Sequence, residues 1–227
     1  MAYSRSHLPK LRRFFSQRTR QFDQHSELKH CDTKSFLKYV QSTSLDITTT
    51  YYKGTLYEYA VCDGLRKFNI FNTRCGGCND QGVDLRGKWY LEDSGDHGEQ
   101  RILPVIVQCK ADAKSIGPRY VRELEGTLSI ESPGTVGILA AHSSFSERSL
   151  RTASSSELPM ILARVQSLEC GFNEPVVTSF IWNKATQLLL GSKYSVLCSI
   201  PRSASSTPQR IKFAYEGRAV KKKSLVW

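Results

Sequence analysis

The sequence predicts an α/β fold in which a mixed central sheet is flanked by helices. Three observations carry this expectation. Helix-period apolar stripes alternate with strand-length apolar runs across residues 51–168. The run at 102–110 is rich in Ile and Val, as a strand buried on both faces must be. Clusters of Gly, Pro, Asn and Asp separate the runs where turns are needed.

Taken in order, residues 23–50 are polar and rich in Ser and Thr, so 31–50 reads as a linker with structure beginning near Tyr51. From Gly54 to Phe68 the apolar or small positions Leu56/Tyr57, Ala60/Val61, Gly64/Leu65 and Phe68 make one buried helix stripe. Residues 69–74 form a strand that ends at the turn cluster Cys75-Gly76-Gly77-Cys78-Asn79-Asp80. A second strand spans 83–91, a polar loop 92–100, and the central strand 102–110. Gly117-Pro118 opens a helix reaching about Leu128, with Pro where a missing N–H costs little. A strand at 135–141, a short helix at 146–156 and a strand at 158–165 complete the core. Its order is helix, three strands, helix, strand, helix, strand, α-β-β-β-α-β-α-β. Residues 169–227 form a C-terminal extension with extra strands expected at 179–183, 194–200 and 211–215, then a basic tail.

The formal net charge of +11 suggests a polyanionic partner, but its distribution weakens that inference. Residues 1–22 hold six basic and no acidic side chains, and 201–227 hold seven basic and one acidic. The segment 23–200 has 19 basic and 20 acidic residues, so its net charge is −1. A nucleic-acid function must therefore rest on a site rather than on bulk charge. The first 30 residues are Arg- and Ser-rich, with Leu8, Leu11, Phe14 and Phe15 on one helical face and Lys10, Arg12, Arg13 and Arg20 mainly opposite. This is the composition of a mitochondrial transit peptide, and matrix localisation is the expectation; a basic arm is the alternative. No run approaches the 18 apolar residues of a membrane span. Seven cysteines without a framework spacing read as reduced thiols.

Asp84 follows a glycine-containing turn, and Gln108 and Lys110 are separated by one residue, so both project from one face of their strand. Pairing these strands brings a carboxylate, an amide oxygen and an ammonium together. That set suits phosphodiester hydrolysis, which needs a hard divalent cation on oxygen ligands and a cation beside the attacking water. A structural Asp84–Lys110 pair is the alternative.

The segments Gly54-Thr55-Leu56-Tyr57-Glu58, Gly82-Val83-Asp84-Leu85, Val107-Gln108-Cys109-Lys110 and Val121-Arg122-Glu123-Leu124-Glu125-Gly126 occur in the order of the Mrr-type restriction endonucleases, which the chain resembles from about 54 to 165. The resemblance implies a restriction-endonuclease-like core and a Mg²⁺- or Mn²⁺-dependent nuclease acting on DNA. It implies that Asp84 is the central metal ligand, with Gln108, the Cys109 carbonyl and Glu58 as further ligands and Lys110 polarising the attacking water. Gln108 stands where many relatives carry Glu, so cation affinity is expected to be weaker. Glu58 reads alternatively as an exposed helix carboxylate, and Asp80 as a turn residue capping its own loop. Lys114, Arg119 and Arg122 are candidate phosphate contacts, or a solvated helix face. Homodimers are common in that family and are the expected partner state beside DNA. With the Arg-rich leader in front, the resemblance extends to a fungal mitochondrial protein of respiratory growth and implies genome maintenance there. A non-catalytic nucleic-acid-binding factor on the same fold is the competing reading. Cys75 and Cys78 form a lone CxxC, for which structural, zinc and redox roles are open. Tyr51, Tyr52, Tyr57 and Tyr59 read as helix packing, and His142 as an ordinary polar residue.

Overall fold

The computed structural model describes residues 30–75, 82–94, 100–167, 174–199 and 210–221. Helix α1 (Thr33–Thr43) occupies the stretch expected to be a linker, which corrects that expectation. Asp32 caps it by accepting the Ser35 amide at 2.6 Å, and the Ser35 hydroxyl accepts the Asp32 amide in return. Only Phe36 and Val40 are buried, against Tyr59. Two buried positions one turn apart give too short a stripe to stand out from a Ser/Thr-rich background.

Helix α2 (Thr50–Arg66) starts earlier than the expected Gly54 because the Thr49 hydroxyl accepts the Tyr52 amide at 3.2 Å and so caps the helix. It is followed by β1 (Ile70–Arg74), β2 (Leu85–Ser94), β3 (Gln100–Lys110), α3 (Pro118–Leu128), β4 (Val136–Ala141), α4 (Glu147–Ser155) and β5 (Met160–Gln166). This is the predicted element order. β6 (Val176–Trp182) completes a six-stranded sheet ordered β1-β2-β3-β4-β5-β6. The β1–β2, β2–β3 and β5–β6 pairs are antiparallel; β3–β4 and β4–β5 are parallel, with α3 and α4 as their crossovers.

Strand alternation divides the core in two. Val105 and Val107 of β3 pack with Tyr57, Val61 and Leu65 of α2, whereas Ile106 packs with Val121 and Leu124 of α3. Gly137 lets α3 lie close to β4, since a Cβ there would stand 3.1 Å from Leu128. The same alternation assigns Gln108 and Lys110 to the α3 side of the sheet and Cys109 to the α2 side.

Beyond β6 the chain forms α5 (Lys184–Leu190) and a second sheet of β7 (Tyr194–Ser199), β8 (Arg210–Tyr215) and β9 (Arg218–Ala219). β6, β7 and β8 are the strands expected in the extension, while α5 was not expected. Phe213 sits 5.1 Å from the Trp89 ring, so this small sheet packs into the α2-side core. Among the described residues no helix is long and apolar enough to cross a membrane. The leader, the loop with Cys78 and Asp80, and the last basic residues lie outside the described residues.

Candidate active site

The antiparallel register pairs Leu85 with Val107. That is the last pair of the β2–β3 ladder, and Asp84 stands immediately before it. The Asp84 amide donates to the Val107 carbonyl at 3.0 Å, and its own carbonyl accepts the Cys75 amide at 3.1 Å. These backbone bonds fix the residue just before β2 begins. Its Oδ2 accepts the Cys109 amide at 2.6 Å, a charge-assisted bond that holds the carboxylate at the strand end.

Gln108 is buried, 6% exposed, and its Oε1 has no hydrogen-bond partner. Its Nε2 lies against Gly82, where an added Cβ would come within 3.1 Å. Gly82 has φ of +79°, so both its backbone conformation and the nearby amide favour glycine. A buried amide oxygen without a donor costs about 1–3 kcal/mol, which a satisfied structural glutamine would not incur.

Lys110 follows on the same side, and its Nζ stands 4.8 Å from the centre of the Tyr120 ring. An aromatic face from the first turn of α3 thus neighbours the ammonium for which the sequence suggests Asp84 as partner. Tyr120 was not foreseen. Its only sequence signal is an aromatic just after Gly117-Pro118, which is equally a packing residue.

Glu58 is on α2, and Arg74 Nε donates to its Oε2. The two side chains are only 18% and 9% exposed, so the carboxylate is not on an open helix face. The Arg74 guanidinium also lies 5.3 Å from the centre of the Tyr59 ring. Arg74 was likewise missed, because the α2–β1 packing that brings it to Glu58 has no signature in spacing. Burial, then the charges of Asp84 and Glu58, hold the Cys109 thiol well above the usual cysteine range.

The phosphate-contact candidates lie outward from this point. Lys114 is exposed on the loop after β3, its carbonyl accepting the Ser143 hydroxyl at 2.5 Å. Arg119 is exposed and paired with Glu123 at 2.7 Å, and Arg122 is exposed on the same helix. Lys114 and Tyr120 line an open cleft with Asp112 and Ile116. His142, at the end of β4, faces the Tyr57 ring edge-on at 6.1 Å. Tyr57 and Tyr59 are buried, with hydroxyls donating to the Val165 and His30 carbonyls, as helix-packing residues should be. Cys75 donates its thiol to the Val83 carbonyl at 3.4 Å.

A profile of the family described as required for respiratory growth protein 7 matches residues 49–102 and 96–194. The chain belongs to that family. The match runs from the cap of α2 to the start of β7 and includes Glu58, Asp84, Gln108 and Lys110. An uncharacterized mitochondrial protein of Schizosaccharomyces pombe is 38% identical over 154 residues, covering 68% of this chain and 60% of its own length. The chain therefore spans less than two thirds of that relative. The mitochondrial protein of Saccharomyces cerevisiae strain S288c that gives the family its description is 29% identical over 173 residues, covering 58% of this chain and 72% of its own length. A solved structure of the MspJI restriction endonuclease with a 27-mer oligonucleotide shares 17% identity over 54% of this chain and 29% of that one, at a TM-score of 0.38. At that score it says nothing of the site.

Magnesium and manganese take hard oxygen ligands, and the donors here are of that kind: the Asp84 carboxylate, the Gln108 amide oxygen and the Cys109 carbonyl. The partnerless Oε1 of Gln108 is the observation that fits a cation. Among the described residues there is no group of three or more His, Cys, Asp and Glu side chains placed to hold a metal.

Proposed function

We propose that the chain is a mitochondrial nuclease that hydrolyses phosphodiester bonds in DNA with the help of Mg²⁺ or Mn²⁺, and that it serves respiratory growth through maintenance of the mitochondrial genome. The observation that carries the reading is the buried, partnerless Oε1 of Gln108 on a strand end where Asp84 is held by the Cys109 amide and Lys110 lies on the same side as Gln108. The mitochondrial relatives support the address, and the family's description supports the link to respiratory growth.

In this reading Asp84, Gln108 and the Cys109 carbonyl hold the cation. The cation supplies charge neutralisation at the phosphate and acidifies a water. Lys110, steadied over Tyr120, places an ammonium where negative charge develops on the phosphate oxygens. Lys114 in the outer cleft, and Arg119 and Arg122 on the exposed face of α3, contact the backbone of the nucleic acid. The test is incubation of the purified protein with Mg²⁺ or Mn²⁺ and with duplex DNA, single-stranded DNA and RNA. Cleavage that disappears in both Asp84→Ala and Lys110→Ala supports the reading. Absent cleavage, or cleavage that persists in both variants, removes it.

A second reading, a nucleic-acid-binding factor without turnover, is favoured by one observation: Glu58 is engaged by Arg74, and Gln108 is uncharged, so the site carries little negative charge. Complementation decides between them. Rescue of a respiratory defect by the Asp84→Ala, Lys110→Ala double variant supports binding without chemistry.

A further inference from the structure

We propose that Arg74 is a built-in cation that competes with the divalent ion for Glu58, so that the site holds one ion at Asp84 and Gln108 and none at Glu58. The inference rests on the metal-binding reading above and reassigns one residue that the family resemblance made a ligand.

Glu58 and Arg74 come from different elements, α2 and the last position of β1, and meet through Nε and Oε2. Arg74 is only 9% exposed, and its guanidinium is backed by the Tyr59 ring. A guanidinium so placed has little water to return to. A cation arriving at Glu58 must displace it and leave a buried positive charge unpaired, which is strongly unfavourable. A hard divalent ion binds only as well as the anionic oxygens it meets. With Glu58 paired to Arg74, the carboxylate that would meet an ion beside Gln108 is that of Asp84. The arrangement has the arginine occupying, as a fixed charge, the position a second cation would otherwise neutralise.

The test is Mn²⁺ binding to the full chain, followed by electron paramagnetic resonance and calorimetry, with no substrate present. The wild type should bind one Mn²⁺ weakly. Arg74→Met should gain a second Mn²⁺ or bind the first with a Kd about tenfold lower. Arg74→Lys, which keeps the charge, should behave as the wild type. The Glu58→Gln, Arg74→Met double variant removes both charges together and leaves no buried ion unpaired, so it guards against a folding failure of the single variant. It should bind one Mn²⁺ with wild-type affinity, because Glu58 is not a ligand.

Unchanged binding in a folded Arg74→Met overturns the competition while leaving a metal site at Asp84 intact; loss of Mn²⁺ binding in the double variant makes Glu58 a ligand and overturns the proposal. If the wild type binds no Mn²⁺ but Arg74→Met does, the competition stands and the metal-dependent reading of the native chain falls. If neither binds, both fall. Asp84→Asn should abolish the wild-type signal, which assigns the ion to this site.

Discussion

Two buried amides in this molecule are treated in opposite ways. Asn183, at the start of α5, uses both ends of its side chain. Its Nδ2 donates to the Ala153, Ser156 and Leu158 carbonyls, and its Oδ1 accepts from the Met160 and Thr186 amides. That one residue ties the end of α4, the start of β5 and the start of α5 together. Gln108 is buried to the same degree, yet its oxygen is left without a donor. Burying a polar group is tolerated when it is satisfied, so the first is architecture. The second keeps the cost of an unsatisfied group, as do both side-chain polar atoms of the buried Asn72 on β1; what sets Gln108 apart is its place on the strand end beside Asp84 and Lys110.

The sharpest way to break the contrast is at Lys110. Lys110→Ala should lower cleavage by about 10³-fold, roughly 4 kcal/mol in the barrier, with folding unchanged by circular dichroism. Near-normal cleavage would make the Gln108 end of the strand merely structural. Next in size, Asn183→Ala should cost about 3 kcal/mol of stability in urea unfolding, since several backbone groups lose their partner at once. A loss under about 1 kcal/mol would mean water replaces the side chain readily.

Gln108 itself should give the reverse result. Gln108→Leu removes an unsatisfied amide and should change stability by no more than about 1 kcal/mol, while weakening Mn²⁺ binding. Gln108→Glu should tighten Mn²⁺ binding but lower stability in the absence of the ion, because a buried carboxylate lacks a partner. A glutamine variant that unfolds the protein would place Gln108 beside Asn183 as architecture.

The smallest effect concerns the α1–α2 contact. His30 is buried against Tyr59, 2.7 Å from its hydroxyl, and burial, followed by the charge of Arg74, holds its imidazole below the ordinary value of 6.5. The unfolded chain then takes up a proton that the folded chain resists. Stability should therefore be constant well above pH 6.5 and fall as pH drops through and below 6.5, levelling off only below the folded pKa. Melting curves from pH 8 to about 5 should show this dependence, and His30→Asn should reduce it.

Much of the core was legible along the chain because its signals are local. The Ile/Val run marks β3, Gly117-Pro118 marks the start of α3, and the helix stripe marks α2. α1 and α5 escaped because each is decided by a capping residue, Asp32 and Asn183, rather than by a long apolar stripe. The same division holds in the site. Two residues two positions apart on a strand must share a face, so Gln108 and Lys110 were placed together by the alternation of the chain itself. Arg74 on Glu58 and Tyr120 under Lys110 come from other elements, and no periodicity reports which side chains packing will bring into contact.

The sequence by itself determined the order of the core elements from α2 to β5, the strand that carries the candidate chemistry and that Gln108 and Lys110 share one face of it, because these follow from spacing and turn chemistry. Only the tertiary structure decided that the Gln108 oxygen is left unpartnered and that Glu58 is held by an arginine. Both depend on burial, and burial is set by which elements pack against one another.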